Sequence, residues 1–308
     1  MSKLKFLGPI LIIIAATLWG LDGVVLRPAL YSLPVPTVVF IEHGLAFLIM
    51  LPFFLFELKE IKKLKLGDWG AFFWVAVFGG ALGTMFITKA LFYVNFVNLS
   101  VVVLIQKLQP IFALLLARLV LKEKLPKKFF WWAAVAIIAV YFVTFDNFLP
   151  NFATGQKTIA AALFSLGAAF AFGSSTVFSK RALQKISYRL GTYLRFGLTT
   201  VLMFFIAAGF GNLGAVTQVT WQQFLVFLTI VFTSGAAAMF LYYYGLKWVT
   251  ASVSTICELA FPLSAILFEF LLRGHWLTWS QWLGVVVLFV AIYQVSLTAQ
   301  SNNSPIKA

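Results

Sequence analysis

Within long apolar stretches of this 308-residue chain stand a few side chains that can hold charge or exchange protons. They are Asp22, Glu42, His43, Lys89, Lys107, Arg195 and Glu258, with Gln106 and Ser175 as neutral polar neighbours. An ionisable group inside an apolar helix costs about 2.5–3.5 kcal/mol on insertion scales, so it faces a partner or a wet interior by default. Glu42 with Lys89 is the expected outer pair, and Lys107 with Glu258 the expected central pair. Glu258 precedes Pro262 by four positions. The proline ring removes one intrahelical bond there, so a free backbone acceptor is expected beside the carboxylate. Two acceptors on one broken turn suit an ammonium group or a water chain, and Glu258 could carry a proton. For each of these residues the alternative is an ion pair that only holds helices together. For Arg118 it is a stem that reaches back to the headgroups.

Other chemistries find little footing. The two histidines, His43 and His275, are far apart, and Cys257 is the single cysteine. No Cys/His cluster has metal-site spacing, and no phosphate-cradling glycine loop opens a polar helix. No cofactor is expected, and no nucleophile or metal set supports an enzyme. A lipid-modifying enzyme or a membrane receptor remains the alternative of a different class. Lys107 could form a Schiff base in a receptor, but such a receptor would have fewer spans and no internal repeat. Trp19, Phe172, Tyr242 and Tyr243 sit beside these polar positions. An aromatic wall could stack a planar ligand or hold a cation, and simple packing is the alternative.

The elements that hold these residues are long and apolar. Hydrophobic residues make up 62% of the chain and charged ones 10%. Soluble domains run nearer half and a quarter. A bilayer-crossing helix needs roughly 20 mostly apolar residues. Ten stretches qualify: Phe6 to Leu26, Thr37 to Phe56, Trp69 to Phe92, Leu99 to Val120, Phe129 to Leu149, Thr158 to Ser179, Leu190 to Gly209, Trp221 to Tyr244, Ala251 to Leu272 and Leu277 to Leu297. They are too long for strands and lack strand alternation. The expected class is an all-α integral membrane protein of ten transmembrane helices. The first stretch is taken as helix 1 rather than a signal peptide, because no clean cleavage site follows. The tail, 301–308, is expected to be a disordered cytoplasmic segment.

Basic residues cluster in alternate loops, at Lys59 to Lys65, Lys122 to Lys128, Lys180 to Arg189 and Lys247. The opposite loops hold only Arg27, Lys157 and Arg273. This bias puts both termini in the cytoplasm of a cell (inner) membrane. It also accounts for the net charge of +14 without nucleic acid as a partner. The expected partners are the lipid bilayer, a small-molecule substrate and a coupling proton.

The chain repeats itself. At an offset of 153, WGLDGVVLRPAL from Trp19 falls on FGSSTVFSKRAL from Phe172, and FIEHGLAFLIM from Phe40 falls on YLRFGLTTVLM from Tyr193. Gly20 meets Gly173, Arg27 meets Lys180, and Glu42 meets Arg195. At 152, Ser100-Val101 meets Ser252-Val253, Gln106 meets Glu258, and Pro110 meets Pro262. Residues 1–150 thus form one five-helix unit and 151–300 a second. Five is odd, so the second must enter the membrane inverted. Glu42 and Arg195 then lie at mirrored depths and are not expected to pair.

The chain resembles the drug/metabolite transporter superfamily, in its EamA-like group. The resemblance rests on Trp19-Gly20 with its echo Phe172-Gly173, on the segment Ala90 to Leu125 with its central Pro110 and closing Glu123, and on its echo from Tyr244. The echo departs by carrying Gly274-His275 where a glutamate would stand. The resemblance implies ten helices, a cavity between the halves and alternating access. It also implies a secondary transporter, often an exporter, of small polar metabolites. The balance of buried acids and bases favours an amino acid or other zwitterion. Organic cations or nucleosides are the alternative.

Overall fold

The structure is a computed structural model that describes residues 2–93, 105–144, 157–273 and 278–301. All regular structure in the described residues is helical. Among the described residues, eight stretches are long and apolar enough to cross a membrane. Two further helices, Gln109–Val120 and Lys127–Thr144, stand where the fourth and fifth spans are expected. We number these rods α1 to α10. Several expectations fall outside the described residues: Ser100-Val101 of the repeat match, Gly274-His275 and the tail from 302.

Rod α1 runs Ser2–Leu21, loosens into a π turn at Asp22–Leu26 and ends in a tight turn at Arg27–Leu30. Rod α2 is Val35–Ile61. Rod α3 begins at Leu66–Trp74, widens to π geometry over Val75–Leu82 and resumes as Gly83–Tyr93. Rods α4 and α5 are Gln109–Val120 and Lys127–Thr144. Rods α6 and α7 are Thr158–Ala182 and Tyr188–Gly209. Rod α8 breaks between Trp221–Phe232 and Ala236–Trp248. Rod α9 breaks between Ala251–Cys257 and Ala260–Arg273. Rod α10 is Trp279–Ser301. The unbroken α3 and α8 of the sequence reading are therefore interrupted helices. In both, the interruption falls at a Gly-containing stretch, Gly79-Gly80 and Ser234-Gly235.

The packing shows the repeat. Rod α2 packs on its counterpart α7, and α5 on α10. Rod α1 packs on α8 and α9, while its counterpart α6 packs on α3 and α4. Two glycines explain the closest crossings. A Cβ on Gly20 would stand 2.9 Å from Ala265 N and 3.0 Å from Phe261 O. A Cβ on Gly173 would stand 2.7 Å from Gln109 O and 3.1 Å from Ala113 N. The neighbours correspond as the glycines do, Phe261 to Gln109 and Ala265 to Ala113. Both helix pairs need a residue without a side chain to approach, as membrane helices often do. The halves form one inverted-repeat bundle.

Candidate functional site

The break in α9 places the central acid. Glu258 sits in the turn ahead of Pro262, and its carboxylate is ringed by donors from three other rods and its own. Tyr242 Oη donates at 2.8 Å, Gln109 Nε2 at 2.9 Å, Ser254 Oγ at 3.0 Å and Thr176 Oγ1 at 3.2 Å. Gln106 Nε2 donates to Gln109 Oε1 at 3.2 Å, so the two glutamines form a chain leading to the acid. The Trp19 ring lies 5.3 Å from that of Tyr242 and walls the cluster. The sequence reading singled out Glu258, Gln106 and Trp19 but missed Thr176 and Ser254. Hydroxyl residues are common in membrane helices, and only the fold brings these two to one carboxylate.

Two expectations about this acid need correction. Lys107 is not its partner. Its ammonium lies 4.7 Å above the Phe261 ring, and among the described residues it pairs with no carboxylate. The turn at Lys107-Leu108 twists the side chain away from the acid that its neighbour Gln106 approaches. The backbone acceptor is not free either, because Phe261 N–H donates to Glu258 O at 3.0 Å. The chain tightens by one residue and satisfies the carbonyl that Pro262 cannot reach.

The second cluster belongs to the end of α1. Arg27 Nη2 meets Asp22 Oδ2 at 2.6 Å and Glu42 Oε2 at 3.2 Å. The pairing of Glu42 with Lys89 is therefore overturned. Lys89 is exposed and lies 5.3 Å over the Tyr93 ring. The physical reason is that α1 does not end at Leu26. Its π and tight turns keep Arg27 inside the bundle, close to the acids, rather than in a loop. One oxygen, Asp22 Oδ1, has no hydrogen-bond partner among the described residues.

The third cluster surrounds Arg195 on α7. It donates to Gly79 O at 3.0 Å, to Tyr243 Oη at 3.3 Å and to Ser175 Oγ at 3.4 Å. Tyr243 Oη also shares a hydrogen bond with Ser179 Oγ at 2.9 Å. No described carboxylate pairs with Arg195. The wide turns of α3 expose Gly79 O for it, which is a common use of π geometry. His43 bonds Val39 O at 3.0 Å, so its Nδ1 carries the proton, and its ring lies 5.1 Å from Phe196. Phe172 stands against Gly83 on the α3 side and joins neither acid cluster.

The first and third clusters touch. Ser175 and Thr176 are neighbours on α6, and Tyr242 and Tyr243 on α8. One of each pair serves Arg195 and the other serves Glu258, so a single polar belt crosses the bundle with a base at one end and an acid at the other.

The basic face is closed by contacts between halves. Lys185 Nζ meets Asp68 Oδ2 at 2.8 Å, and Arg189 Nη1 meets Glu57 Oε1 at 3.4 Å. Glu123 accepts from Ala251 N at 2.7 Å and from Ser252 N at 3.1 Å, which caps α9 with an anion. The chain reaches that position because Lys122 takes a left-handed φ of 54° after α4. On the opposite face the cross-half bonds are neutral, Thr37 Oγ1 to Asn212 O at 2.9 Å and Gln223 Nε2 to Ser32 Oγ at 2.8 Å.

Comparison with known proteins bears on what this bundle is. The chain is 46% identical over 293 residues to "Riboflavin transporter ImpX" of Fusobacterium nucleatum subsp. nucleatum, covering 94% of this chain and 97% of that one. It is 28% identical over 252 residues to "Uncharacterized transporter sll1164" of Synechocystis, covering 76% and 67%. A solved crystal structure superimposes with a TM-score of 0.71 over 95% of this chain and 98% of the other, at 13% identity, which speaks for the fold alone. The profile of the EamA-like transporter family matches residues 6–145 and again 159–297, once for each half of the bundle. With both repeats accounted for, the chain belongs to the EamA-like transporter family, and it is a multi-pass membrane transporter rather than an enzyme.

Proposed function

We propose that this chain carries a flavin-class molecule, riboflavin or a close analogue, by alternating access around the Glu258 belt. The identity to a riboflavin transporter along nearly the whole of both chains carries this reading. The site chemistry supports it. Trp19 and Tyr242 offer faces to a planar ring, and Gln106, Gln109, Thr176 and Ser254 offer partners to a polyhydroxylated tail. The zwitterion reading rested on a balance of acidic and basic groups inside the spans, with Lys89, Lys107 and Arg195 as the bases. Lys107 lies over Phe261 and Lys89 over Tyr93, so of these bases Arg195 alone shares the belt with Glu258. The nucleoside alternative, a ring with a sugar, is nearer in chemistry.

The five-helix units, divided near residue 150, rock against each other, with both termini in the cytoplasm. Such a carrier is reversible, and the imposed gradient sets the direction. Glu258 is the candidate for ligand or proton binding. The test is labelled riboflavin uptake in a bacterial riboflavin auxotroph that lacks its own uptake system. Saturable uptake is expected, with competition by lumiflavin and none by amino acids. Glu258→Gln should reduce uptake at least tenfold at unchanged membrane level. Uptake no greater than that of vector-bearing cells would overturn the substrate reading. Full uptake by Glu258→Gln at every pH would leave the substrate and remove Glu258 from the site.

A further inference from the structure

We infer that Arg195 is the recognition point for the N5/C4=O edge of the transported ring, where a ring nitrogen and a carbonyl oxygen stand as adjacent acceptors; this rests on the flavin-class reading. Arg195 is 9% exposed, so its charge is nearly buried. A guanidinium carries five N–H donors and does not lose its proton in proteins. Three of the five meet Gly79 O, Ser175 Oγ and Tyr243 Oη. Among the described residues Nε–H has no partner. Among them Nη2 bonds only Gly79 and keeps a second hydrogen. Nε and Nη2 lie along one edge of the planar group, the fork that accepts two parallel acceptors from a ligand.

A buried cation with neutral partners alone is costly to maintain. A structural role would be met by a carboxylate, and the repeat offers one at the equivalent position, where Glu42 is held by Arg27. Arg195 has instead been set against carbonyl and hydroxyl oxygens that orient it without neutralising it. The Tyr243 ring, 5.9 Å from its guanidinium carbon, adds a second restraint. The free donors therefore suit an electron-rich edge that arrives with the cargo. The belt then has a division of labour. Arg195 reads the polar edge of the ring, and the hydroxyls and amides around Glu258 meet the tail.

A chemical double-mutant cycle on the full-length protein in nanodiscs tests this. Binding of lumiflavin and of 5-deazalumiflavin, in which C–H replaces the acceptor N5, is measured by ligand fluorescence on the parent, Arg195→Gln and Arg195→Lys. On the parent, replacing N5 should weaken binding at least tenfold. On either variant, lumiflavin should bind at least tenfold more weakly than on the parent, and replacing N5 should then change affinity less than threefold. Additive losses would show that Arg195 acts elsewhere, with flavin binding itself intact. If both variants fail to fold, the parent alone decides, because equal binding of the two ligands overturns the assignment. A parent that binds no flavin overturns both this assignment and the substrate reading. Tight chloride dependence of stability without any effect of replacing N5 would mark Arg195 as an inorganic-anion site and overturn the proposal.

Discussion

The same three positions in the two repeats hold opposite chemistry. In the first half Asp22, Arg27 and Glu42 form a compact cluster in which two carboxylates share one guanidinium. In the second half the equivalents are Ser175, Lys180 and Arg195, two cations and a hydroxyl. Lys180 reaches the end of α8 and donates to Leu246 O at 2.7 Å and Lys247 O at 3.1 Å. Arg195 is left with neutral acceptors. The halves thus keep the backbone and exchange the charge. Inversion explains why this is tolerated. Equivalent positions face opposite sides of the membrane, so the repeat constrains where a polar group sits and not what sign it carries.

The most damaging way to break this comparison is to remove the base from the first cluster. Arg27→Met leaves Asp22 and Glu42 buried beside each other with no counter-charge. Removing one partner of a buried pair costs about 3–5 kcal/mol. A large fall in the thermal midpoint of the purified protein is expected, and the double variant Arg27→Met, Glu42→Gln should recover part of it. A midpoint for Arg27→Met within a degree of the parent would mean the cluster is not what stabilises this end of α1.

The backbone side of the comparison predicts equality where the charges predict difference. Gly20→Val and Gly173→Val each drive a side chain into a backbone crossing of matching geometry. Overpacking of this kind costs about 1–3 kcal/mol or more. The two losses in thermal stability should agree closely. A loss at one position only would show that the halves have diverged in packing as well as in charge.

These contrasts separate what the sequence made legible from what it did not. The class, the ten stretches, the inverted repeat and the glycine echoes follow from apolar length and from a near-constant offset, which are properties of the chain read in one dimension. Glu258 was legible as a central acid because it stands alone in an apolar run ahead of a proline. Its partners were not. Lys107 is adjacent to Gln106, yet only the glutamine chain leads to the carboxylate, since the turn there sends successive side chains in different directions. Arg27 was read as a loop cation because π and tight turns carry no apolar signature, and that misplaced the partner of Glu42. The cap by Glu123 joins residues 128 positions apart, a contact that only the assembled bundle creates.

That cap offers a smaller test, set against the opposite face. Glu123→Ala removes the anion from the first amides of α9, and loss of such a cap costs roughly 1 kcal/mol. Hydrogen exchange at Ala251 and Ser252 should quicken about fivefold, since 1.4 kcal/mol is about tenfold. The Val253 amide is held by Thr250 Oγ1 at 3.2 Å and should be the least affected of the three. Uniform acceleration along α9 would mean that Glu123 holds the halves together and does more than cap one helix.

The smallest effect should come from Lys180→Met, and it is the sharpest comparison with Arg27→Met. The two residues occupy equivalent positions, but their head groups do different work. Arg27 neutralises carboxylates inside the bundle, whereas Lys180 meets the last carbonyls of α8, groups that a helix end leaves without intrahelical donors. A cation at a helix C-terminus contributes about 0.3–1 kcal/mol. Methionine keeps the length and apolar stem and removes only that contribution, so the thermal midpoint should fall slightly and riboflavin uptake should stay near the parent level. Arg195 should be indifferent, because among the described residues Lys180 shares no partner with it. If Lys180→Met instead costs as much as Arg27→Met, the second half depends on its cation as the first does. The division between a self-paired cluster and an open one would then be wrong.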